Sequence, residues 1–398
     1  MLLSIKNYLD FKSINPSIKY LSISSFFTGI AIGYFFTVLV IVQKLNGYSE
    51  GVIGLISASF SLGLMIAGFF VSKILANIRI YKMLLLSVSI QTICVLLIFI
   101  YFTPINLALC SFLMGIMGGM NWMTMDTWAN IVSNDKNRGK SLGLYLSSMS
   151  IGFAIGPLLV AIFGTQGLFP IILCLFLMII RIPALHFIRH HINNVEVPEQ
   201  VKKINFSFIK TAPFIFVAIF ISGINDSSFG SLFPAFMINE LFSDKSIGLY
   251  FFIGAFGGVI TQPFVGALSD KVDKRKLLFL LLICHIIWPL LLFNFINIQT
   301  IIILSVLIWG FASVSLYTVA LAYLGERVSV KEISIATSLF IIVYECGEFF
   351  GPIIVGLSMN KYGNTGFIYS ILLITILSLL IGIIRSTYKK YGIKNSQS

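Results

Sequence analysis

Charge is scarce in this sequence. Only 11% of its 398 residues are Asp, Glu, Lys or Arg, whereas 58% are hydrophobic. A water-soluble chain of this length needs far more charge to cover its surface, so this composition excludes a soluble globular protein. Such an excess of apolar residues predicts a chain whose main solvent is lipid.

Several signatures of enzymes and metal proteins are also missing. The five cysteines form no CxxC pair and lie in apolar segments, which indicates small packing residues. No GxxxxGK[ST] sequence occurs, and none of the four histidines lies four residues from an acid. We therefore expect no cofactor, no metal site and no enzyme activity.

The apolar residues form twelve runs, each long enough to cross a bilayer as a helix. About 20 mostly apolar residues are needed for one crossing. The predicted spans, numbered 1 to 12, are approximately 18–42, 50–72, 83–102, 106–128, 140–163, 166–188, 211–238, 246–268, 277–296, 300–325, 333–357 and 366–384. The N-terminal segment lacks a cleavage site of the signal-peptide type, so we expect span 1 itself to direct insertion.

Lysine and arginine lie mostly on one side of this predicted topology. The loops on the other side hold only Lys44, Lys245 and Lys361. Cytoplasmic loops retain positive charge, so we expect a bacterial inner-membrane protein with both termini in the cytoplasm. Because the cations lie between apolar runs and form no basic face, the net charge of +12 does not predict binding to nucleic acid.

The second half of the chain repeats the first. GFAIGPLLV at 152–160 matches GEFFGPIIV at 347–355 at an offset of 195, and the turns after spans 2 and 8 correspond at an offset of 198. The longest polar stretch divides the spans six and six. We predict an all-α membrane fold with two pseudo-symmetric six-helix bundles, 1–188 and 211–398, joined by a cytoplasmic linker at 189–210.

The turn after span 8 reads GALSDKVDKRK and begins at Gly266. It is similar to the GxLaDrxGrrk loop of the major facilitator superfamily, with Asp270 at the acidic position and Lys271 and Arg275 at basic ones. The resemblance implies a cytoplasmic gate: Gly266 allows a close helix approach, and Asp270 binds a helix N-terminus or a cation until the two halves rock. The alternative is a loop that is only positive-inside.

The rest of this gate is predicted in the first half. The turn after span 2 has Ser72 where the family has its acid, so the motif is intact only in the second half. Asp126, near the cytoplasmic end of span 4, is expected to pair with Arg138 or another loop cation in the gate; a direct role in substrate binding is the alternative.

A GxxxGP pattern occurs in spans 5 and 11. Glycines four residues apart form a flat strip for close helix packing. The first copy resembles the antiporter motif of the family, although Leu158 and Leu159 replace its final glycines, and it favours export; generic packing is the alternative. The residues concerned are Gly152, Gly156, Pro157, Gly347, Gly351 and Pro352.

Three further segments resemble a poorly characterised bacterial branch of this superfamily. They are MDTWANIVSNDKNRGKSLGLY, which begins at the end of span 4 and continues into the next loop, SGINDSSFGSLFPAF at 222–236 and AYLGERVS at 322–329. The resemblance covers nearly the whole chain. It implies the major facilitator fold and says almost nothing about the identity of the substrate. We expect a small-molecule substrate and a monomer in the lipid bilayer.

Three acids in the second half lie at membrane depth: Asp226 in span 7, and Glu345 and Glu348 in span 11. A charge inside a span costs at least a few kcal/mol unless it has a partner, water or a protonation role. Glu345 and Glu348 are three residues apart, so they share a helix face and favour a shared proton. We expect these acids to couple proton movement to transport; structural, hydrogen-bonded acids are the alternative.

Polar and aromatic residues in the spans are candidates for the substrate cavity. Asn225 and Asp226 lie together in span 7, and the aromatic side chains could line a cavity or simply pack. The aromatic candidates are Tyr34, Trp122, Tyr317 and Tyr344. Arg181 is close enough to the cytoplasmic face to be expected to snorkel, and His285 is expected to be a packing residue.

These features together favour a proton-coupled exporter that works by alternating access. Uptake by proton symport or facilitated diffusion is the alternative within transport. A membrane sensor without transport, or a membrane enzyme, is the alternative from another class.

Overall fold

The computed structural model describes residues 15–75, 77–133, 138–188, 206–269, 271–329 and 332–395. Within these ranges all regular secondary structure is helical, which confirms the predicted all-α class. The helices are α1 (Pro16–Leu45), α2 (Glu50–Leu75), α3 (Ile80–Ile100), α4 (Pro104–Val132), α5 (Arg138–Phe163), α6 (Phe169–Ile179), α7 (Arg181–Ile188), α8 (Ser207–Thr211), α9 (Pro213–Asn239), α10 (Asp244–Ser269), α11 (Lys274–Asn294), α12 (Gln299–Gly325), α13 (Ile333–Tyr362) and α14 (Asn364–Asn395).

Each of the twelve predicted spans is helical. Ten helices in the described ranges are long and apolar enough to cross a membrane. The other two spans correspond to α10, of 26 residues, and to α6 together with α7. Span 6 is not continuous as predicted: Pro183 has no N–H to donate to the carbonyl of Ile179, which explains the break between α6 and α7.

The chain divides into two compact units. The first holds the described residues up to Leu39 and those from Ser59 to Ile188; the second holds Val40–Ala58 and those from Phe206 onward. Both α1 and α2 therefore contribute residues to both units. Of the predicted linker 189–210, residues 189–205 lie outside the described ranges.

Each unit has its own apolar core. In the first unit, Trp128 of α4 and Tyr145 of α5 are fully buried in a cluster that includes residues of α1, α3 and α7. In the second, Phe229 of α9 stacks on Trp309 of α12 with ring centroids 3.5 Å apart. These cores fix the faces that α9, α12 and α13 present to one another.

Candidate functional site

The backbones of α9 and α13 touch along a strip of glycines. A Cβ added at Gly347 would overlap the carbonyl oxygen of Phe220, and one at Gly223 would overlap that of Tyr344. A Cβ at Gly351 would lie 2.6 Å from Ser227 Oγ. Only glycine permits this approach, which places the middle of α9 directly against the acidic stretch of α13.

Asp226 lies midway along α9 and faces α13. Its Oδ2 accepts hydrogen bonds from the Tyr344 hydroxyl at 3.1 Å and from Ser222 Oγ at 3.3 Å. Ser313 of α12 also lies beside this carboxyl group. Its other oxygen, Oδ1, is buried and has no hydrogen-bond partner. Hydroxyl groups from three helices, and no cation of the described residues, thus lie around one carboxyl group.

Glu345 and Glu348 extend this cluster along α13. Glu345 interacts electrostatically with Glu348, and Glu348 in turn with Asp226 and with the Tyr344 hydroxyl. Glu345 Oε2 is buried without a hydrogen-bond partner. In the part of the chain that the structure describes, no Lys, Arg or His interacts with these three carboxyl groups. We call Asp226, Tyr344, Glu345 and Glu348 the acidic cluster.

The aromatic candidates separate into two groups. Tyr317 packs edge-on against Tyr344, with ring centroids 5.2 Å apart, and so adjoins the acidic cluster. Tyr34 is fully buried in α1, and Trp122 is 44% exposed on α4. Asn225 is fully buried and donates to the Ile221 carbonyl at 3.0 Å, so it is turned toward its own helix.

The first unit contains a second glycine contact. A Cβ at Gly152 of α5 would overlap the Phe26 carbonyl oxygen of α1, and one at Gly156 would overlap the Tyr34 nitrogen. The prolines that follow the two GxxxG strips, Pro157 and Pro352, are both buried inside helices. The two copies of the pattern therefore join α5 to α1 and α13 to α9.

The turn that holds the predicted cytoplasmic gate is described only in part. A Cβ at Gly266 would meet no atom of the described residues within 4 Å, so the close helix approach expected at this glycine is not found among them. Asp273, which the sequence analysis missed, caps α11 by accepting from the backbone nitrogens of Arg275 at 2.8 Å and Lys276 at 3.1 Å. Lys271 is exposed, and Asp270 lies outside the described residues.

Asp126, the acid predicted in the first half of the gate, has a hydroxyl group beside it. The Asp126 carboxyl group lies beside the Tyr145 hydroxyl of α5. Arg138 begins α5, but its side chain is outside the described part of the protein. The pairing of Asp126 with Arg138 stays a prediction.

Arg181 does not snorkel, so that expectation was wrong. The residue is fully buried, and its guanidinium donates to Gln91 Oε1 of α3 at 2.8 Å and to Thr28 Oγ1 of α1 at 3.2 Å. Among the described residues, Nη2 has no hydrogen-bond partner and no carboxyl group interacts with the guanidinium. Arg181 therefore ties three helices together through neutral acceptors.

Arg181→Ala should lower the stability of the folded protein by about 2–4 kcal/mol, because it opens a cavity and leaves buried polar groups unpaired. The measurement is thermal unfolding of the purified protein in detergent. Arg79→Ala is the matched control, since Arg79 is an exposed arginine in the same unit. Equal melting temperatures for the two variants would contradict this role for Arg181.

Chemically, the acidic cluster can take up and release protons or receive a cationic group. The described residues contain no group of three or more His, Cys, Asp or Glu side chains that could hold a metal ion. Tyr344 touches both the carboxyl groups and the ring of Tyr317, so polar and aromatic surfaces meet at one place.

Comparison with known proteins agrees with this architecture. The family model of the Major Facilitator Superfamily matches residues 21–220 and 215–396. An uncharacterised MFS-type transporter of Bacillus subtilis, YfkF, is 23% identical over 371 residues, covering 92% of this chain and 94% of that one. An uncharacterised MFS-type transporter of Yersinia pestis is 24% identical over 323 residues, covering 78% of this chain and 81% of that one.

Solved structures share the fold at low sequence identity. The nucleoside transporter NupG has a TM-score of 0.75 at 13% identity, covering 95% of this chain and 100% of that one. A bacterial homologue of the human lysosomal transporter Spinster has a TM-score of 0.69 at 13% identity, covering 94% and 97%. The named relatives and neighbours are transporters rather than enzymes, and this chain belongs to the Major Facilitator Superfamily of multi-pass membrane transporters.

Proposed function

We propose that this transporter is a proton-coupled exporter of a small organic solute. The observation that carries the proposal is the acidic cluster, in which three carboxyl groups lie on two touching helices, Asp226 and Glu348 share the Tyr344 hydroxyl, and no described cation interacts with the three acids. Carboxyl groups gathered in this way can carry a proton in one direction while solute moves in the other. The halves 1–188 and 211–398 of a monomer rock to expose the cluster to each side in turn.

The same cluster favours neutral or cationic solutes. An anionic solute would meet three acids without a described compensating cation, and carriers of phosphate-rich solutes present Arg or Lys to the anion. The edge-on pair of Tyr317 and Tyr344 supplies an aromatic surface beside the carboxyl groups. An amphipathic organic solute with an amine or with neutral polar groups fits this surface best.

Export is proposed with the termini in the cytoplasm of a bacterial inner membrane, which follows from the distribution of Lys and Arg. Solute profiling of a deletion strain against an overexpressing strain identifies solutes that the cells expel. Each of these is then added to inside-out vesicles that hold an imposed proton gradient. A solute of an antiporter should dissipate the gradient, and a protein-free vesicle is the control.

The direction of proton movement separates the candidates. Uptake by symport is the second candidate. When solute is added, a symporter would change the pH of the vesicle lumen in the direction opposite to the change that an antiporter causes. No response for any solute that intact cells expel would overturn antiport. A facilitator would move solute down its own gradient and leave the proton gradient unchanged.

A further inference from the structure

An open groove lies in the first unit where the turn after α2 meets the start of α3. Its volume is about 420 Å³, and its lining residues are Asn77, Ile78, Arg79, Lys82 and Leu86. We call it the α2–α3 groove. Pockets that hold small ligands have volumes of about 300–1,000 Å³, so this groove is large enough to receive one.

Two cations give the α2–α3 groove its charge. Arg79 immediately precedes α3 and Lys82 lies in the first turn of that helix, and both residues are exposed. Residues 51–125 contain no Asp or Glu. The ion pairs found among the described residues involve other cations. The described part of the protein therefore supplies no carboxylate that pairs with Arg79 or Lys82.

The corresponding turn of the second half is different. Its groove, of about 260 Å³, is lined by three cations but also by two acids, Asp273 and Glu326. Lys274 donates to Glu326 Oε1 at 2.7 Å, and Arg327 donates to the Tyr323 hydroxyl at 2.5 Å. The positive-inside rule accounts for cations in both turns. It does not account for the lack of acids beside only one of them.

An apolar face of α3 continues from the groove into the membrane. Leu86, Ile93, Leu97 and Ile100 are exposed. Together with Lys82 they recur at spacings of three, four or seven residues, so they lie on one face of the helix. Because α3 is long and apolar enough to cross the bilayer, exposed apolar side chains on it can contact acyl chains. This face thus combines a cation at one end with an apolar surface along its length.

We propose that the α2–α3 groove binds the headgroup of an anionic glycerophospholipid, whose acyl chains lie along the exposed apolar face of α3. The guanidinium of Arg79 can donate two hydrogen bonds to a phosphate group, and the Lys82 ammonium adds a second positive charge. Basic pockets at the membrane surface recognise lipid headgroups in this way. A free phosphate would use the two cations but not the apolar face.

This site goes beyond the proposed export and does not depend on it. The proposed orientation only assigns the lipid to the cytoplasmic leaflet.

The first test compares lipids. The purified full-length protein, in detergent and freed of lipid, is titrated with phosphatidylglycerol and with phosphatidylcholine of the same acyl chains. Bound lipid is counted by native mass spectrometry. Each cation near an anionic headgroup raises affinity about fivefold, so one phosphatidylglycerol molecule should bind about thirtyfold more tightly than phosphatidylcholine. Glycerol phosphate, which has no acyl chains, should bind much more weakly than phosphatidylglycerol.

The second test removes the cations. Arg79→Gln with Lys82→Gln should lower the affinity for phosphatidylglycerol about thirtyfold and leave that for phosphatidylcholine unchanged. Lys82→Gln alone should lower it about fivefold, and it serves if the double variant fails to fold. The matched control is Arg275→Gln with Lys276→Gln, which removes the same charge from the corresponding turn and should leave the affinity unchanged. The melting temperature in lipid-free detergent checks that each variant is folded.

Three results would overturn the site. Equal affinities for phosphatidylglycerol and phosphatidylcholine would show that the groove does not select an anionic lipid. Equal losses in the two double variants would show a general attraction of anionic lipid to a positive surface. Equally tight binding of glycerol phosphate would show an anion site without a lipid. These measurements need no transported solute, so failure of the exporter proposal would leave their outcome unchanged.

Discussion

Gly347→Val should lower the yield of folded protein several-fold, whereas Gly230→Val should leave the yield unchanged. A Cβ at Gly347 would overlap the Phe220 carbonyl oxygen and lie 3.1 Å from the Ile224 nitrogen, and these are backbone atoms that cannot rotate away. A Cβ at Gly230 would meet no atom within 4 Å in the part of the chain that the structure describes. Both residues are glycines within the same pair of helices, so the comparison isolates the close approach from helix propensity.

The expected size of this effect follows from overpacking. Forcing extra atoms into a packed contact costs about 1–3 kcal/mol of folding free energy where the neighbouring atoms can move. Backbone atoms can move less than side chains, so the cost is greatest where a new Cβ meets backbone. We expect the monodisperse yield in size-exclusion chromatography to fall several-fold for Gly347→Val. Gly156→Val and Gly143→Val form the same comparison in the first unit, since only the former meets backbone atoms. Equal yields within each pair would show that the helices are not held this close.

Neutralising the acidic cluster should uncouple solute movement from the proton gradient. The changes are Asp226→Asn, Glu345→Gln and Glu348→Gln, singly and together, which retain shape and hydrogen bonding while removing the exchangeable proton. One elementary charge that crosses 100 mV carries about 2.3 kcal/mol, which can support a solute ratio of about fifty-fold. The variants should lose this ratio and still exchange labelled for unlabelled solute.

The measurement is solute accumulation in inside-out vesicles with and without the gradient. Glu332→Gln is the matched control, because Glu332 is an exposed acid that precedes α13 and lies outside the cluster. Unchanged accumulation in the triple variant would remove the cluster from the mechanism. Loss of exchange as well as accumulation, in a protein that still melts normally, would assign the cluster to solute binding instead.

Hydropathy was sufficient to locate the helices, because the length of an apolar run decides whether that segment can cross the bilayer. Span 1, predicted at 18–42, is Pro16–Leu45 in the structure, and span 7, predicted at 211–238, is Pro213–Asn239. The break in span 6 was missed because hydropathy does not register a lost hydrogen bond. Pro183 was the available signal.

The direction in which a side chain points was harder to predict than the depth of its residue in the membrane. The three-residue spacing of Glu345 and Glu348 predicts one helix face, but only the glycine contact with α9 places Asp226 against Tyr344. Arg181 was misjudged because snorkelling depends on distance to the membrane surface, whereas its direction depends on the rotation of α7. The available signal was the presence of polar residues, Gln91 and Thr28, in otherwise apolar spans, because they can accept hydrogen bonds from a buried arginine.

The assignment of Val40–Ala58 to the second unit could not come from the chain order. Sequence repeats place span boundaries and the midpoint of the chain, but they carry no information about which helix ends touch. Within the second unit, Asn239 donates to Glu50 and to Asn364, and Asn360 accepts from the Gly51 nitrogen. These asparagines are ordinary helix-end residues in the sequence.

The burial of Arg181 has a consequence for how the protein enters the membrane. On the scale of translocon-mediated insertion, arginine opposes insertion by up to about 2.5–3.5 kcal/mol at the centre of a helix, and the apolar segment that contains it, Phe169–Pro183, is shorter than the other spans. Its acceptors, Thr28 and Gln91, lie on helices synthesised before it. The order of synthesis therefore lets the guanidinium meet protein rather than lipid when it leaves the ribosome, and makes the biogenesis of this segment dependent on helices already in the bilayer.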